Sequence, residues 1–397
     1  MRYQAALRLA PRGVESVRLE DALGRVLAAD ITATTDLPPF QRSLVDGWAV
    51  RAADVSTASP QRPVRLRRAG DVRMGESAPP LQEAGSAVRI PTGGMLPLGA
   101  DAVVMQEHAD EDGGDVLVRT PARVGAHVIA RGADVRAGEV VLRRGRRLRP
   151  PDLGILAGEG IASVPVYQPP RVAIFATGDE IVPPHAALGP GQVRDMNSVA
   201  LAAAVSEAGG IPVLLGIVRD AREEVDAVLR RAIVGHEMVL VSGGSSVGER
   251  DVVADAIGAL GPPGIVVHGV AVRPGRPTVL AAVGSVPVIG LPGNPVSALV
   301  IFHLFARPVL DALAGADSLS GPWRLVRAKL ADPLAGPADR EDHRRVRLEA
   351  RSGRIWAMPL PVGSQVLTSL VHAHGIVVVP PGRRLRRGAE IDVHLLG

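Results

Sequence analysis

Between Arg171 and Ala312, apolar strand-like runs alternate with helical patterns, and this alternation constrains the fold more than any other feature of the chain. In order they are RVAIFA, SVALAAAVSEAGG, IPVLLGIV, AREEVDAVLRRAI, EMVLVSGG and DVVADAIGAL, then the strand-like runs GIVVHGVAV, PTVLAAV and VPVIGL, and last a long helix. Strands separated by helices close through right-handed crossovers into a mostly parallel sheet covered on both faces. The near-continuous apolar character of the strands agrees with burial on two sides. In the second helical segment Val225, Val228, Leu229, Ala232 and Ile233 form one apolar stripe, and Gly209-Gly210 stops the first. The closing helix opens at Asn294-Pro295, a capping residue followed by a proline whose missing N–H costs nothing there.

A chain of 397 residues is too long for one core and implies several units. ESVRLEDALGRVLAADI places Val17, Leu19, Ala22, Leu23, Val26 and Leu27 near helical spacing and predicts a short helical start, broken at Asp36-Leu37-Pro38-Pro39. From Val50 to about Val141 short β-like runs (VRLRRAG, SAVRIPTGG, DAVVMQEH, DVLVRT) are separated by Gly and Pro. DLGILAGEG turns helical again before Pro169-Pro170. Beyond a Gly315 to Gly321 linker, short runs ending in EIDVHLLG predict a small closed β domain. The expected fold class is multidomain α/β plus β. A central parallel-sheet domain (170–316) is joined to a β-rich domain (50–140), a discontinuous helical or extended domain (1–49 and 141–169) and a C-terminal small β-barrel (317–397).

The chain has no cysteine, which excludes disulfides, thiolate metal sites and cysteine nucleophiles and fits a reducing compartment. Arginine carries nearly all the positive charge, Lys329 being the sole lysine, and the net charge is only +4. With 2% aromatic residues there is little surface on which bases could stack, so no nucleic-acid partner is expected. The N-terminus lacks a signal-peptide core and no uninterrupted apolar run reaches spanning length, so a cytoplasmic protein with no membrane partner is expected.

In an open parallel sheet ligands sit outside the carboxyl ends of the strands. The tips here read Thr177-Gly178-Asp179-Glu180, Arg219-Asp220, Ser242-Gly243-Gly244-Ser245-Ser246-Val247-Gly248-Glu249-Arg250-Asp251, Arg273-Pro274-Gly275-Arg276-Pro277 and Leu291-Pro292-Gly293-Asn294-Pro295. Each is polar or glycine-rich. The Ser-Gly-Gly-Ser-Ser loop reads as a phosphate cradle of backbone N–H groups and hydroxyls, or more blandly as a tight strand-to-helix turn. Glu180, Asp220 and Asp251 beside a phosphate call for a cation, of which Mg²⁺ is the natural candidate; the competing reading makes Asp220 and Asp251 helix caps. Arg273 and Arg276 bracket a Pro-Gly turn and could clamp a tetrahedral oxyanion, or be a solvated surface pair.

Taken in order, Leu37-Pro-Pro-Phe-Gln-Arg-Ser-Leu-Val-Asp46-Gly-Trp, Arg89-Ile-Pro-Thr92-Gly-Gly, Asp101-Ala-Val-Val-Met-Gln-Glu107, Thr177-Gly-Asp-Glu180, Ser242 to Asp251 and Leu291-Pro-Gly-Asn-Pro-Val-Ser297 resemble the MoeA-type molybdopterin molybdenumtransferases, also represented by the C-terminal domain of gephyrin. The resemblance covers essentially the whole chain. It implies a homodimer that binds adenylated molybdopterin, inserts molybdate into its dithiolene and releases AMP with Mg²⁺. By the same resemblance the discontinuous domain serves dimerisation, and Asp46, Thr92, Arg131 and Asp134 of one protomer face Glu180, Asp220, Ser246, Asp251 and Arg273 of the other. Ser242, Gly243, Gly244, Ser245, Ser246 and Gly248, with Pro292, Gly293 and Asn294, would hold the substrate. Glu180, Asp220 and Asp251 would hold the metal, and Arg345 and Ser364 would join Arg273 and Arg276 in the oxyanion pocket. A molybdopterin adenylyltransferase and molybdenum-enzyme apoproteins become expected partners.

Three departures from the family pattern stand out. Arg273 and Arg276 replace the lysines of Lys-Pro-Gly-Lys, Gly269 replaces a lysine four residues earlier, and Asp339-Arg-Glu-Asp-His-Arg-Arg345 replaces a Gly-Arg-aromatic-Arg-Gly motif, with Arg345 assigned over Arg344. Gly269 and the altered last-domain motif support, as the alternative to an active enzyme, a binder or scaffold that retains the pterin pocket without turnover.

Overall fold

The structure, a computed structural model, describes residues 3, 7–243, 252–317, 324–361 and 363–396. It divides into two compact units, one of Met1–Ala29, Arg144–Arg149 and Ser163–Gly397, the other of Asp30–Arg143 and Pro150–Ala162.

In the first unit the alternating segments build a six-stranded sheet in the order Ile211–Val218, Arg171–Thr177, Met238–Gly243, Val286–Leu291, Val279–Val283, Pro263–His268. The first four run parallel, and Val279–Val283 is antiparallel to both its neighbours. Its reversal follows from the two-residue link at Gly284-Ser285, far too short for a helical crossover. Pro263–His268 therefore points the same way as the parallel four, and five strand tips share one edge.

Successive residues face opposite sides of this sheet, as the pleat demands. Val172, Ile174, Met238 and Leu240 pack with Leu201 and Val205 of the Asn197–Glu207 helix and Phe302 and Leu310 of the closing helix. Ala173, Phe175, Val239 and Val241 pack with Val225, Leu229, Val253 and Ile257 on the other face. The closing helix runs through Pro295–Ile301, a π turn at Phe302–Ala306 and Arg307–Leu313. Its 19 residues are long and apolar enough to cross a membrane by length and composition, contrary to expectation. Its apolar residues Ile301, Phe302, Ala306, Val309 and Leu310 lie in the sheet core, and Asp311 pairs with both Arg147 and Arg307, so it serves here as a core helix.

The predicted single strand GIVVHGVAV is two. Gly269, at φ +82°, turns the chain out of the sheet, so Pro263–His268 stays in it as an edge strand while Val272–Arg273 pairs in parallel with Glu341 and Asp342 of the C-terminal domain. That domain is a closed barrel: Glu341–Arg351, Arg354–Pro359, Leu325–Leu330, Glu390–Leu395 and Gly375–Val379 pair in turn and back to Glu341–Arg351. Leu330, Val346, Ala357, Val377 and Val393 fill it.

The predicted helical start is also corrected. Val14–Arg18 is a strand paired antiparallel with Ser163–Tyr167, and only Leu19–Asp21 makes a 3₁₀ turn. Burial alternates with period two along this stretch, and Leu23, which a helical stripe would bury, is 59% exposed. Pairing with a distant segment satisfies the backbone, so local helical spacing loses.

The second unit holds a six-stranded sheet ordered Ala102–Met105, Gly47–Val50, Ser86–Ile90, Val64–Asp71, Asp115–Val118, Ala109–Asp112. Trp48, Leu66, Val104 and Val116 fill one face, and Ala49, Val72, Ile90 and Val103 the other. The Pro150–Gly158 helix forms where DLGILAGEG predicts it.

Candidate functional site

Because the strands end on one edge, the residues at and after four of those tips, at Thr177, Val218, Gly243 and Leu291, converge there, whereas the chain after His268 leaves for the barrel. Thr177, the last residue of Arg171–Thr177, donates its hydroxyl to Asp220 Oδ1 at 2.5 Å. Asp220 is therefore not a helix cap: Arg222–Gly235 opens at Ala221 with no capping side chain. Asn197, at the start of its helix, donates from Nδ2 to Ser242 Oγ and to the Gly293 carbonyl, each at 2.7 Å. One amide thus joins the tips of two neighbouring strands. Gly243 must be glycine: its φ is +115°, and a Cβ there would lie 2.1 Å from the Thr177 carbonyl oxygen. These residues, with Glu180, Pro292, Gly293 and Asn294, line a cavity of about 810 Å³, a size ordinary for a small-molecule site. Val193 and Met196 add an apolar wall, each about half exposed.

The barrel reaches the same rim. Asn294 occupies the predicted capping position, but its side chain makes no cap; Nδ2 donates instead to Ser364 Oγ at 3.0 Å. Ser364 also accepts the Val296 N–H through its carbonyl at 3.2 Å, and the next residue, Gln365, lines the cavity. Arg345 is buried and donates to the Pro361 and Gly363 carbonyls at 3.0 and 3.3 Å, which braces the loop carrying Ser364. Burial, followed by the neighbouring Arg344 charge, lowers its pKa from the arginine value. Arg273 Nε donates to Asp342 Oδ1 at 2.9 Å and Nη2 to Asp342 Oδ2, a hydrogen-bonded fork that raises the arginine pKa. Arg344, rather than Arg345, also pairs with Asp342, at 2.7 Å. Arg276 is exposed, and its charge helps to lower the pKa of Asp339, where the bond from Arg340 dominates.

In the other unit Asp46 Oδ1 accepts the Thr92 backbone N–H at 2.7 Å and the Thr92 hydroxyl at 3.0 Å. Those bonds, the backbone one first, hold its pKa below the usual carboxylate range. Arg131 Nε donates to Asp36 Oδ2 at 2.6 Å, and Asp36 also accepts the Ala137 N–H, the larger cause of its lowered pKa. Asp134 donates its backbone N–H to the Leu37 carbonyl at 2.9 Å. Asp36 organises this corner and escaped notice because it reads only as the residue before a Leu-Pro-Pro break.

Gly244, Ser245, Ser246, Gly248 and Asp251 lie outside the described residues. Among those described, no three acidic or histidine side chains gather as a metal cluster. Glu180 and Asp220, both on the cavity, fit the lighter demand of Mg²⁺, which takes one or two carboxylates and completes its shell with phosphate and water. Asn197 was not among the predicted site residues. Its signal is the Asp195-x-Asn197 turn, where Asp195 Oδ1 accepts the Ser198 N–H and starts the helix towards the strand tips.

Residues 1–160 match the family described as the MoeA N-terminal region (domain I and II), residues 173–312 the probable molybdopterin binding domain, and residues 327–396 the MoeA C-terminal region (domain IV). Molybdopterin molybdenumtransferase 2 of Mycobacterium tuberculosis is 38% identical over 370 residues, 92% of this chain and 90% of the relative. The Bacillus subtilis molybdopterin molybdenumtransferase is 35% identical over 391 residues, 96% of this chain and 90% of the relative. The crystal structure of the molybdopterin biosynthesis MoeA protein of Pyrococcus horikoshii superposes with a TM-score of 0.83 at 31% identity, covering 99% of each chain. With three consecutive family regions and relatives aligned over nearly its full length, the chain belongs to the MoeA family of molybdopterin molybdenumtransferases.

Proposed function

We propose that this chain takes adenylated molybdopterin and molybdate as substrates, places the metal on the pterin dithiolene and releases AMP, yielding molybdenum cofactor. The observation that carries the reading is the cavity at the strand edge. There Ser242, Gly243, Gly293 and Asn294 present hydroxyl, amide and close-approach backbone beside the carboxylates of Glu180 and Asp220. A phosphate-bearing ligand suits such donors, and Mg²⁺ held by Glu180, Asp220 and Asp251 would offset the charge of phosphate and carboxylates together. Bound there, Mg²⁺ would supply electrophilic assistance to cleavage of the phosphoanhydride. Asn197 fixes the Ser242 hydroxyl, Thr177 fixes Asp220, and Arg273, Arg276, Arg345 and Ser364 serve the tetrahedral oxyanion side of the rim, Arg345 by bracing its loop.

The reading extends to assembly and place. The working form is a homodimer in which Asp46, Thr92, Arg131 and Asp134 of one protomer complete the cavity of the other. It acts in the cytoplasm, receiving substrate from a molybdopterin adenylyltransferase and passing product to molybdenum-enzyme apoproteins. The test is direct. Purified protein with adenylated molybdopterin, Mg²⁺ and molybdate should release AMP and form metal-loaded pterin in equal amounts; binding of the adenylate without AMP release would overturn the reading.

A further inference from the structure

Asp342 belongs to neither the strand-edge cavity nor the predicted site, yet it is only 1% exposed. A carboxylate removed from water to that degree is strongly unfavourable unless it is paired and hydrogen-bonded. Both its oxygens are taken by one guanidinium, Arg273 Nε to Oδ1 and Nη2 to Oδ2, with Arg344 Nε 2.7 Å from Oδ2. The backbone brings the pair into register: Val272 lies opposite Glu341 and Arg273 opposite Asp342, and the Glu341 N–H reaches the Ala271 carbonyl at 3.0 Å. This two-residue strand is where the barrel is stitched to the chain segment that leaves the central sheet.

A lysine could not make this contact, because its ammonium offers point-like donors and no planar fork. Two features that look like separate degradations of the sequence, arginine at 273 and the altered segment around 342, therefore meet in space and match each other. Gly269 completes the arrangement: its left-handed backbone, unfavourable to any side chain, makes the turn that carries residues 272 and 273 to the barrel.

We infer that Asp342 is a positioning residue that locks Arg273 and the barrel into one orientation at the oxyanion side of the rim. Its Nε and Nη2 edge committed to Asp342, Arg273 acts on a ligand from a fixed position rather than as a mobile surface cation. The functional half of this inference rests on the proposed activity; the structural half does not.

The experiment uses the full chain as Asp342→Asn, Arg273→Lys and the double variant, with two readouts. Hydrogen–deuterium exchange at the Glu341 amide should accelerate about tenfold in each variant, as expected when a charged buried pair loses a partner. The KM for molybdate should rise about tenfold with kcat changed less than about threefold, and the double variant should be no worse than Asp342→Asn alone. Arg273→Lys keeps the charge without the fork and carries the comparison if Asp342→Asn is insoluble. Unchanged exchange at residue 341, additive effects, or a lower KM in Asp342→Asn would each overturn the inference, the last by showing that Asp342 only offsets charge. Should the wild-type chain release no AMP, the exchange measurements still decide whether the lock exists.

Discussion

A single amide, Asn197, shows how much of the site depends on side chains that reach across elements. Its two donors are spent on Ser242 Oγ and the Gly293 carbonyl, leaving the Ser242 hydroxyl proton free to point elsewhere. Removing them in Asn197→Ala forfeits two intramolecular hydrogen bonds of about 1 kcal/mol each, so Tm should fall by roughly a few degrees, and with the two strand tips no longer joined substrate affinity should fall roughly tenfold. Asn197→Asp should be worse by about another factor of ten, because a carboxylate would confront the Gly293 carbonyl with no donor between them. Calorimetric titration with the adenylated pterin checks both, and equal affinities for the Ala and Asp variants would show that the amide donors are not used. Residues at strand ends, such as Glu180, Asp220, Ser242 and Asn294, were legible because the topology alone puts them on the rim. Asn197 and Asp342 were not, since each matters through a partner 45 or 69 positions away that spacing does not reveal. Asp220 shows the same limit from the other side, as a capping role and a cavity role look alike until Thr177 is seen to bind it.

The closing helix, at the scale of an element, joins core packing to a titratable group. His303 follows Phe302 in the π turn, and burial, with the nearby Arg307 charge, pushes its pKa from 6.5 down to about 4. The folded helix therefore holds the neutral imidazole, while the unfolded chain takes up a proton near 6.5. Stability from this group is complete above about pH 6.5 and is lost as the pH falls towards 4, amounting to about 3 kcal/mol over that window. Thermal melts of the wild type and His303→Gln at pH 7 and pH 5 should show a steeper acid loss of Tm in the wild type; parallel losses would place the acid sensitivity elsewhere. Elements whose apolar period and length agree, the central strands and their helices, were readable from sequence. The Val14–Arg18 segment was not, because its partner lies at Ser163–Tyr167 and a helical spacing of leucines and valines can be outweighed by a remote ladder. The same holds for the run through Gly269, where one left-handed residue divides what periodicity reads as a single strand.

For the whole molecule, the proposed division of labour between protomers makes a quantitative claim. Asp46 and Thr92 form a small, mutually bonded group in one unit, while Asp220 and Thr177 do the same on the strand edge of the other. If each working site takes the first group from one protomer and the second from its partner, an Asp46→Ala chain and an Asp220→Ala chain are each inactive alone. Mixed, unfolded and refolded together in equal amounts, they pair at random, and half the dimers contain one of each. In such a dimer both defects fall on one site, and the other is built from two intact groups. Activity should therefore return to about a quarter of the wild-type level, since half the dimers carry one good site of two. Sites assembled within a single chain would regain nothing, because every chain in the mixture carries a defect. Size-exclusion chromatography of the mixture, run beside the AMP-release assay, ensures that a null result is read only from material that has formed dimers.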